Sequence, residues 1–298
     1  MDTLTTSAFF GRVFRDYYEL TKPKIWYLLV FTAFASALTA SFLFDIPTSA
    51  AMWLLLILGV AAGSAAADTL TGYNDRDIDA IMDRTKGRPI PSGRISPRNA
   101  FIFGIILAAI SLVCAWFLNI YAFALMAFGL FDNIIVYSKW LKRTSQTNII
   151  LGGFSGGAPA MIGYVAVTTQ SIEIGIIMAG LVFLWIPTHI WSLALHSRKD
   201  YAKAGIPMLP VVQNEKKSVR IIAVTTILMV LFSIFPFFLN EFGIIYVLTA
   251  TVFGGAMLAL SLWLLARPSE KVAWTVFKFS SPYLTAIFIA FIVDALFH

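Results

Sequence analysis

The sequence predicts an all-α, polytopic membrane protein with nine transmembrane helices. Three observations carry the prediction. Mean hydropathy is +0.80, with 59% of residues apolar and 13% charged. Apolar stretches of roughly 20 residues recur from end to end, the length needed to cross a hydrocarbon core of about 30 Å. A nine-span division also leaves all 22 Lys and Arg on one side of the membrane.

The spans follow from hydrophobic length, with Pro, Gly and charge clusters as breaks. The first, about 25 to 44, follows an arm bearing Arg12, Arg15, Lys22 and Lys24; no small-residue cleavage site closes it, so it is expected to be a permanent helix. The second, about 51 to 70, begins after the turn "FDIPTS". The third, about 99 to 118, holds the single Cys114 inside its apolar run, which excludes a disulfide framework. The fourth, about 120 to 138, carries Asp132 and Asn133, which at membrane depth should face the bundle interior. The fifth, about 148 to 168, contains "GGFSGGAPAMIG", whose small residues permit close helix packing. The sixth, about 174 to 195, includes Pro187, His189 and Trp191. The seventh and eighth, about 218 to 239 and 243 to 266, flank "LNEFG". The ninth, about 275 to 296, is the least regular, because Lys278, Ser280, Ser281 and Pro282 interrupt it.

Side one receives the N-terminal arm and the loops after the even-numbered spans. The connections on the other side carry only Asp45, Glu173 and Glu241 as charges. By the positive-inside rule the basic side is cytoplasmic, which places the N-terminus inside and the C-terminus outside. The net charge of +6 then reflects orientation and attraction to anionic lipid, not nucleic acid. The expected location is an integral, multi-pass position, in the cell membrane if the source is prokaryotic. Residues 1–298 are expected to form a single integral-membrane domain. Two long cytoplasmic loops, about 71 to 98 and 196 to 217, both carry acid beside base and end in Pro-containing stretches. They suggest a pseudo-repeat of 25–138 and 148–266.

The first long loop holds "NDRDIDAIMDRTKGR", four Asp, three Arg and a Lys in fifteen residues. If the second helix continues past the membrane, Asp68, Thr71 or Gly72, Asp75, Asp79 and Asp83 share one face while Asp77 points elsewhere. Like charges at that spacing repel, and Asp68 would cost ~2 to 3 kcal/mol if inserted in hydrocarbon. Mg²⁺ is the natural compensation, since it takes one or two carboxylates, keeps waters and is completed by substrate phosphates. A solvated loop in which the same Asp pair with Arg76, Arg84 and Lys86 is the competing explanation. Against it stand further basic groups on the same side: Arg84, Lys86 and Arg88, then Lys142 and Arg143 in "YSKWLKR", then Arg198 and Lys199 in "HSRKDYAK". Acids for metal beside Arg and Lys form a set suited to a diphosphate, with Asp200 of the second loop able to hold another Mg²⁺. A diphosphate ester at the mouth of a helical bundle suggests a polyprenyl diphosphate with its tail in the bilayer.

With those blocks, "DYYELTKPKI" and "FLWIPTHIWSLALHSRKDYAKAGIPMLPVV" in place, the chain resembles the UbiA superfamily of intramembrane prenyltransferases, and within it the protoheme IX farnesyltransferase branch. The resemblance covers nearly the whole chain. It implies a UbiA-type bundle with Asp-containing cytoplasmic loops after the second and sixth helices. It also implies Mg²⁺ as cofactor and transfer of farnesyl from farnesyl diphosphate to a vinyl group of haem B. The family's N-D-x-x-D-x-x-x-D motif falls on Thr71, Gly72, Asp75 and Asp79. The usual Asn is therefore Thr71, and Asp68, one turn earlier, stands in as a ligand. Metal ligands are thus expected at Asp68, Thr71, Asp75, Asp79 and Asp200, and diphosphate contacts at Arg84, Lys86, Arg88, Lys142, Arg143, Arg198 and Lys199. Tyr137 is expected to orient the diphosphate or shield a cation with its ring. His189, where other branches carry Asp, is assigned to haem recognition or proton handling, a hydrogen-bonded helix contact being the plainer role. The Gly-rich fifth span would also make room for the prenyl tail.

Two other readings stay open. One is a UbiA-type enzyme with another acceptor, an aromatic quinone precursor or a glycerophosphate ether lipid. The other is a transporter with a cation site, against which the charges gather at one face rather than near the midplane.

Overall fold

The structure is a computed structural model describing residues 3–239 and 241–297, with side chains from residue 11 onward. Nine helices among the described residues are long and apolar enough to cross a membrane. They are α2 (Pro23–Leu43), α3 (Ala50–Asn74), α5 (Pro97–Leu118), α6 (Ile120–Phe131, continued by a π-helix over Asp132–Leu141), α8 (Phe154–Val167, preceded by the single turn α7, Asn148–Leu151), α9 (Ile172–His196), α12 (Glu215–Ile234, continued as a 3₁₀ turn), α13 (Ile244–Ala266) and α14 (Glu270–Leu296).

The starts of these helices have local causes. Ser49, Ser96, Asn119, Asn214 and Ser269 each accept a hydrogen bond from a backbone N–H three residues on, satisfying a donor the helix leaves open. The ninth span begins at Ser269, earlier than the hydropathy pattern suggests, because Glu270 to Lys278 form helix on the basic face before the apolar run starts. Pro282 lies inside it without ending it, as packed neighbours permit at membrane depth.

Two elements differ from expectation. Residues Thr3–Leu20 form a helix, α1, where a basic arm was read; its apolar residues are interspersed with polar and charged ones, so it escapes a search for apolar spans. It ends at Lys22, held in a left-handed conformation (φ 50°) before Pro23 opens α2. The second span does not run on unbroken through its Asp residues either. It ends at Asn74, Asp75 caps it with ψ near 6°, and the short α4 (Arg76–Ile81) restarts at a new angle. Asn and Asp compete for backbone hydrogen bonds, and carboxylates four apart repel, so the chain breaks where both act.

Helices α2, α3, α5, α6 and α8 share one buried cluster, and α9 and α12 to α14 build a larger one with parts of α2 and α8. The seam is made by α2 and α8, which also meet α14 and α9. The Gly-rich stretch makes this seam close: a Cβ on Gly157 would lie 2.7 Å from the Ala179 carbonyl oxygen, and one on Gly163 would overlap that of Ala33. Large apolar side chains such as Leu54, Trp116, Phe117 and Leu231 are exposed on the outer surface, as a lipid-facing bundle requires.

Candidate functional site

The break at Asp75 sorts the carboxylates. Asp75 and Asp79 turn inward and are 3% and 4% exposed, while Asp77 and Asp83 face outward. Asp79 receives Arg88 on both oxygens, at 3.0 and 2.8 Å. Asp75 pairs through Oδ2 with Lys142, and its buried Oδ1 has no hydrogen-bond partner among the described residues. Asp83, which the continuous-helix reading placed on the same face, instead pairs on the surface with Lys86 at 2.7 Å and Lys203 at 3.7 Å. Those neighbours hold its carboxyl below the usual range, the Lys86 hydrogen bond most of all.

The π-helix carries the opposing wall. Its wider winding, seen where Lys142 N–H bonds to Tyr137 C=O, brings Tyr137 and Lys142 to the same side, with Nζ 5.7 Å from the ring centroid. Burial works against the Lys142 charge, but the Tyr137 and Asp75 oxygens outweigh it and raise its pKa. Asn74 ties α3 to this segment by donating to the Ile134 carbonyl and Ser138 Oγ. Arg143 forks onto Asp77 at 2.7 and 2.8 Å and donates to the Asn74 carbonyl, which holds the Asp77 carboxyl down to about 2.

The second loop closes over the first. Its short helix α10 (Arg198–Lys203) presents Asp200, whose Oδ2 accepts from the Arg84 backbone N–H at 3.2 Å; the Arg84 guanidinium reaches the Tyr201 hydroxyl at 3.4 Å. The two Asp-bearing loops therefore meet through Arg84 rather than carboxylate on carboxylate. Among the described residues, no three His, Cys, Asp or Glu come together as a ready metal cage. That suits an ion bound by one or two carboxylates and otherwise by phosphate and water, and the unpartnered Asp75 oxygen is an open hard donor for it.

Below this charged mouth lies an open groove between α2, α3, α6 and α8. Asp68, Asn133 and Ser155 line its upper end, with Val60, Met126 and Ile162 deeper. Asp68 turns toward this groove, where Lys22 holds its Oδ1 at 3.0 Å, and Thr71 donates its hydroxyl to the Asp68 carbonyl.

Residues 28–291 match the model of the UbiA prenyltransferase family. The chain belongs to this family. It is 52% identical over 294 residues to protoheme IX farnesyltransferase 2 of Cenarchaeum symbiosum, covering 94% of this chain and 95% of that one. It is 44% identical to the protoheme IX farnesyltransferase of Desulforudis audaxviator, covering 94% and 90%. A solved structure of digeranylgeranylglyceryl phosphate synthase superposes with a TM-score of 0.78 at 24% identity, covering 96% of this chain and 99% of that one. A UbiA homologue from Archaeoglobus fulgidus bound to GPP and Mg²⁺ superposes with a TM-score of 0.61 at 20% identity, covering 93% and 99%. The expected fold, a multi-pass UbiA bundle, is the one observed, with nine membrane-length helices among the described residues.

Within this UbiA fold the remaining candidates separate. Lys86 and Lys199 are exposed, and Arg198 donates to the Gln213 carbonyl, away from the carboxylates. His189 is wedged between α9 and α14, its Nδ1 2.7 Å from Ser280 Oγ and its ring stacked on Trp185 and Phe277. His196 repeats the arrangement two turns on, against Trp274. Sequence reasoning missed Lys22 and Arg94. Lys22 carries one signal, a Lys directly before the Pro that opens a span. Arg94 carries none: it clamps Asp16 and Glu19 of α1 and the Gly87 carbonyl, contacts 78, 75 and 7 residues apart in sequence.

Proposed function

We propose that this UbiA-family chain transfers the farnesyl group of farnesyl diphosphate to a vinyl group of haem B, giving haem O, at a Mg²⁺-dependent site on its cytoplasmic face. One observation carries the reading: a buried acid–base site, Asp75 with Lys142 and Asp79 with Arg88, sits directly over an apolar groove bounded by α3, α6 and α8. That order, charge above and hydrocarbon below, matches a diphosphate head on a prenyl tail. The names of the relatives support haem as acceptor, and the all-basic face supports a cytoplasmic orientation.

Asp75 and Asp79 would hold Mg²⁺, with Asp200 brought over by the second loop. Bound there, the ion would neutralise diphosphate charge and favour departure of pyrophosphate. Lys142 and Arg88 would move from carboxylate to phosphate oxygens, Arg84 would turn its guanidinium from the Tyr201 hydroxyl to phosphate, and Arg143 would keep the π-helix docked on Asn74. Tyr137, over Lys142, presents its ring to the point where positive charge develops on the allyl group. Asp68 and Thr71 are left out of the ligand set, since one faces the groove and the other is spent on its own helix. His189, already satisfied by Ser280, would brace α9 against α14.

The experiment is direct incubation of purified protein with haem B, Mg²⁺ and prenyl diphosphates of several lengths, the products being weighed. A haem heavier by one farnesyl and one hydroxyl is expected. Modification of a phenolic acid but not of haem under the same conditions would overturn the acceptor. Unchanged pyrophosphate release by both Asp75→Ala and Asp200→Ala would overturn the site.

A further inference from the structure

The upper end of the groove is polar where a prenyl pocket needs only hydrocarbon. Ser64 on α3 lines it one turn below Asp68, and its hydroxyl makes no hydrogen bond among the described residues. Asn133 on the π-helix lines it too; its Nδ2 donates to Ser155 Oγ at 3.4 Å, and its amide oxygen Oδ1 accepts no hydrogen bond among the described residues. Ser155 is itself fixed, with Oγ donating to the Gly152 carbonyl and its N–H bonded to Asp132 Oδ2. Asp68 accepts from Lys22 on one oxygen only. Unsatisfied polar groups at membrane depth are costly, and a small polar pocket with two to four such partners is where proteins hold ordered water. Ser155 stands at the basic end of α8, whereas Asp68 and Ser64 lie seven and eleven residues, about 10 and 16 Å, below Asp75 along α3, and Asn133 lies nine residues before Lys142; the polar lining thus extends from beneath the Asp75–Lys142 pair to the depth that the first carbons of a prenyl chain would reach.

We propose that Ser64 and Asn133, with Ser155 and Asp68 behind them, hold the water molecule that quenches the carbocation and so decide that the product carries a hydroxyl. The proposal rests on the haem-farnesylating reading. In that reaction the allylic C–O bond breaks and farnesyl C1 bonds to the terminal vinyl carbon, moving the positive charge to the carbon beside the porphyrin ring. Water oxygen then bonds to that carbon, and its proton passes to the departed pyrophosphate, the base the reaction itself supplies. In a dry groove the same cation would lose a proton from carbon instead and give an alkene one water lighter. Asn133 Oδ1 accepts from the water, the Ser64 hydroxyl fixes its position, and Ser155 orients the amide. These are positioning residues, so their signature is product identity rather than rate.

The test uses the full-length protein with Ser64→Ala and Asn133→Leu, in two arms. With haem B, farnesyl diphosphate and Mg²⁺, the hydroxylated and dehydrated products are separated by mass. With farnesyl diphosphate and Mg²⁺ alone, prenyl alcohols and prenyl hydrocarbons are separated. In each arm the hydroxyl-to-alkene ratio is expected to fall about tenfold in either variant, the factor that loss of one hydrogen bond carries. An unchanged ratio in both variants overturns the proposal, whether total turnover holds or drops, because a structural role would lower turnover at constant ratio. A wild type that never modifies haem, with variants that lower the ratio in the second arm, would sink the acceptor reading while leaving the water site standing.

Discussion

Replacing Lys142 by Met isolates the buried charge at the centre of the site. Asp75 is 3% exposed, one carboxylate oxygen is unpartnered, and the other is held by Lys142. Removing one partner of a buried ion pair leaves an uncompensated charge and costs about 3 to 5 kcal/mol. Lys142→Met is therefore expected to lower the unfolding midpoint in detergent by on the order of 10 °C. Adding Asp75→Asn to the same chain should recover most of that loss. Mg²⁺ adds the discriminating arm. An ion that takes the place of the ammonium beside Asp75 stabilises by mass action, about 2.7 kcal/mol at a hundred times its dissociation constant, and should stabilise Lys142→Met more than the wild type. A single variant that melts with the wild type would refute the ion-pair argument. Equal Mg²⁺ shifts in both proteins would refute Asp75 as the metal-binding carboxylate.

Three further outcomes follow from the packing and charge. Gly163→Ala drives a Cβ into the Ala33 carbonyl oxygen and should cost at least about 2 kcal/mol in thermal unfolding by parting α2 from α8; a neutral effect would show that the seam can relax. Arg94→Ala removes the clamp on Asp16 and Glu19, so hydrogen exchange should quicken over residues 11 to 20 while the midpoint of the bundle stays put. The Asp77 carboxyl, held at about 2 by Arg143, contributes stability that is present above its unfolded pKa near 3.9 and lost as pH falls through about 2. Its side chain is 62% exposed, so the contribution stays below about 1 kcal/mol, and the gap between wild type and Asp77→Asn should close on acidification from pH 5 to 2 in thermal melts.

The spans were legible because each is a long apolar run bounded by a signal that acts locally, a Ser or Asn cap, a Pro, or a cluster of charge. The inward pair Asp75 and Asp79 was legible from their spacing of four, which survives the break because α4 restarts with the Asp79 N–H on the Asp75 carbonyl. Asp83 was misplaced because face arguments assume an unbroken helix, and α4 ends at Ile81. Helix α1 escaped because its docking depends on Arg94, far away in sequence. The partners of the carboxylates were equally hidden: Lys142 and Arg143 are adjacent, yet the π-helical register sends one to buried Asp75 and the other to exposed Asp77. Hydropathy cannot register a winding change.

The pairing of Asp75 with Lys142 and of Asp79 with Arg88 bears on why the proposed reaction would need a metal at all. Asp75 with Lys142 and Asp79 with Arg88 make the buried part of the site close to neutral, which a low-dielectric position demands in the absence of substrate. A prenyl diphosphate brings a charge of about −2 to −3 at neutral pH, given a second phosphate pKa near 6. A neutral site has no surplus positive charge to receive it. Moving Lys142 and Arg88 onto phosphate oxygens does not help alone, since it strips the two carboxylates and leaves the same excess. On the reading proposed above, a divalent cation arriving with the diphosphate would resolve both deficits together: Asp75 and Asp79 would hold it, leaving the Lys142 ammonium and Arg88 guanidinium for phosphate. Metal dependence would thus follow from the carboxylates and cations already being matched, and an Asp75→Asn, Asp79→Asn chain, with its surplus of two positive charges, should bind inorganic pyrophosphate without Mg²⁺ more tightly than the wild type does. Equal or weaker binding, measured by calorimetry in chelator, would show that the pairs are structural and do not exchange.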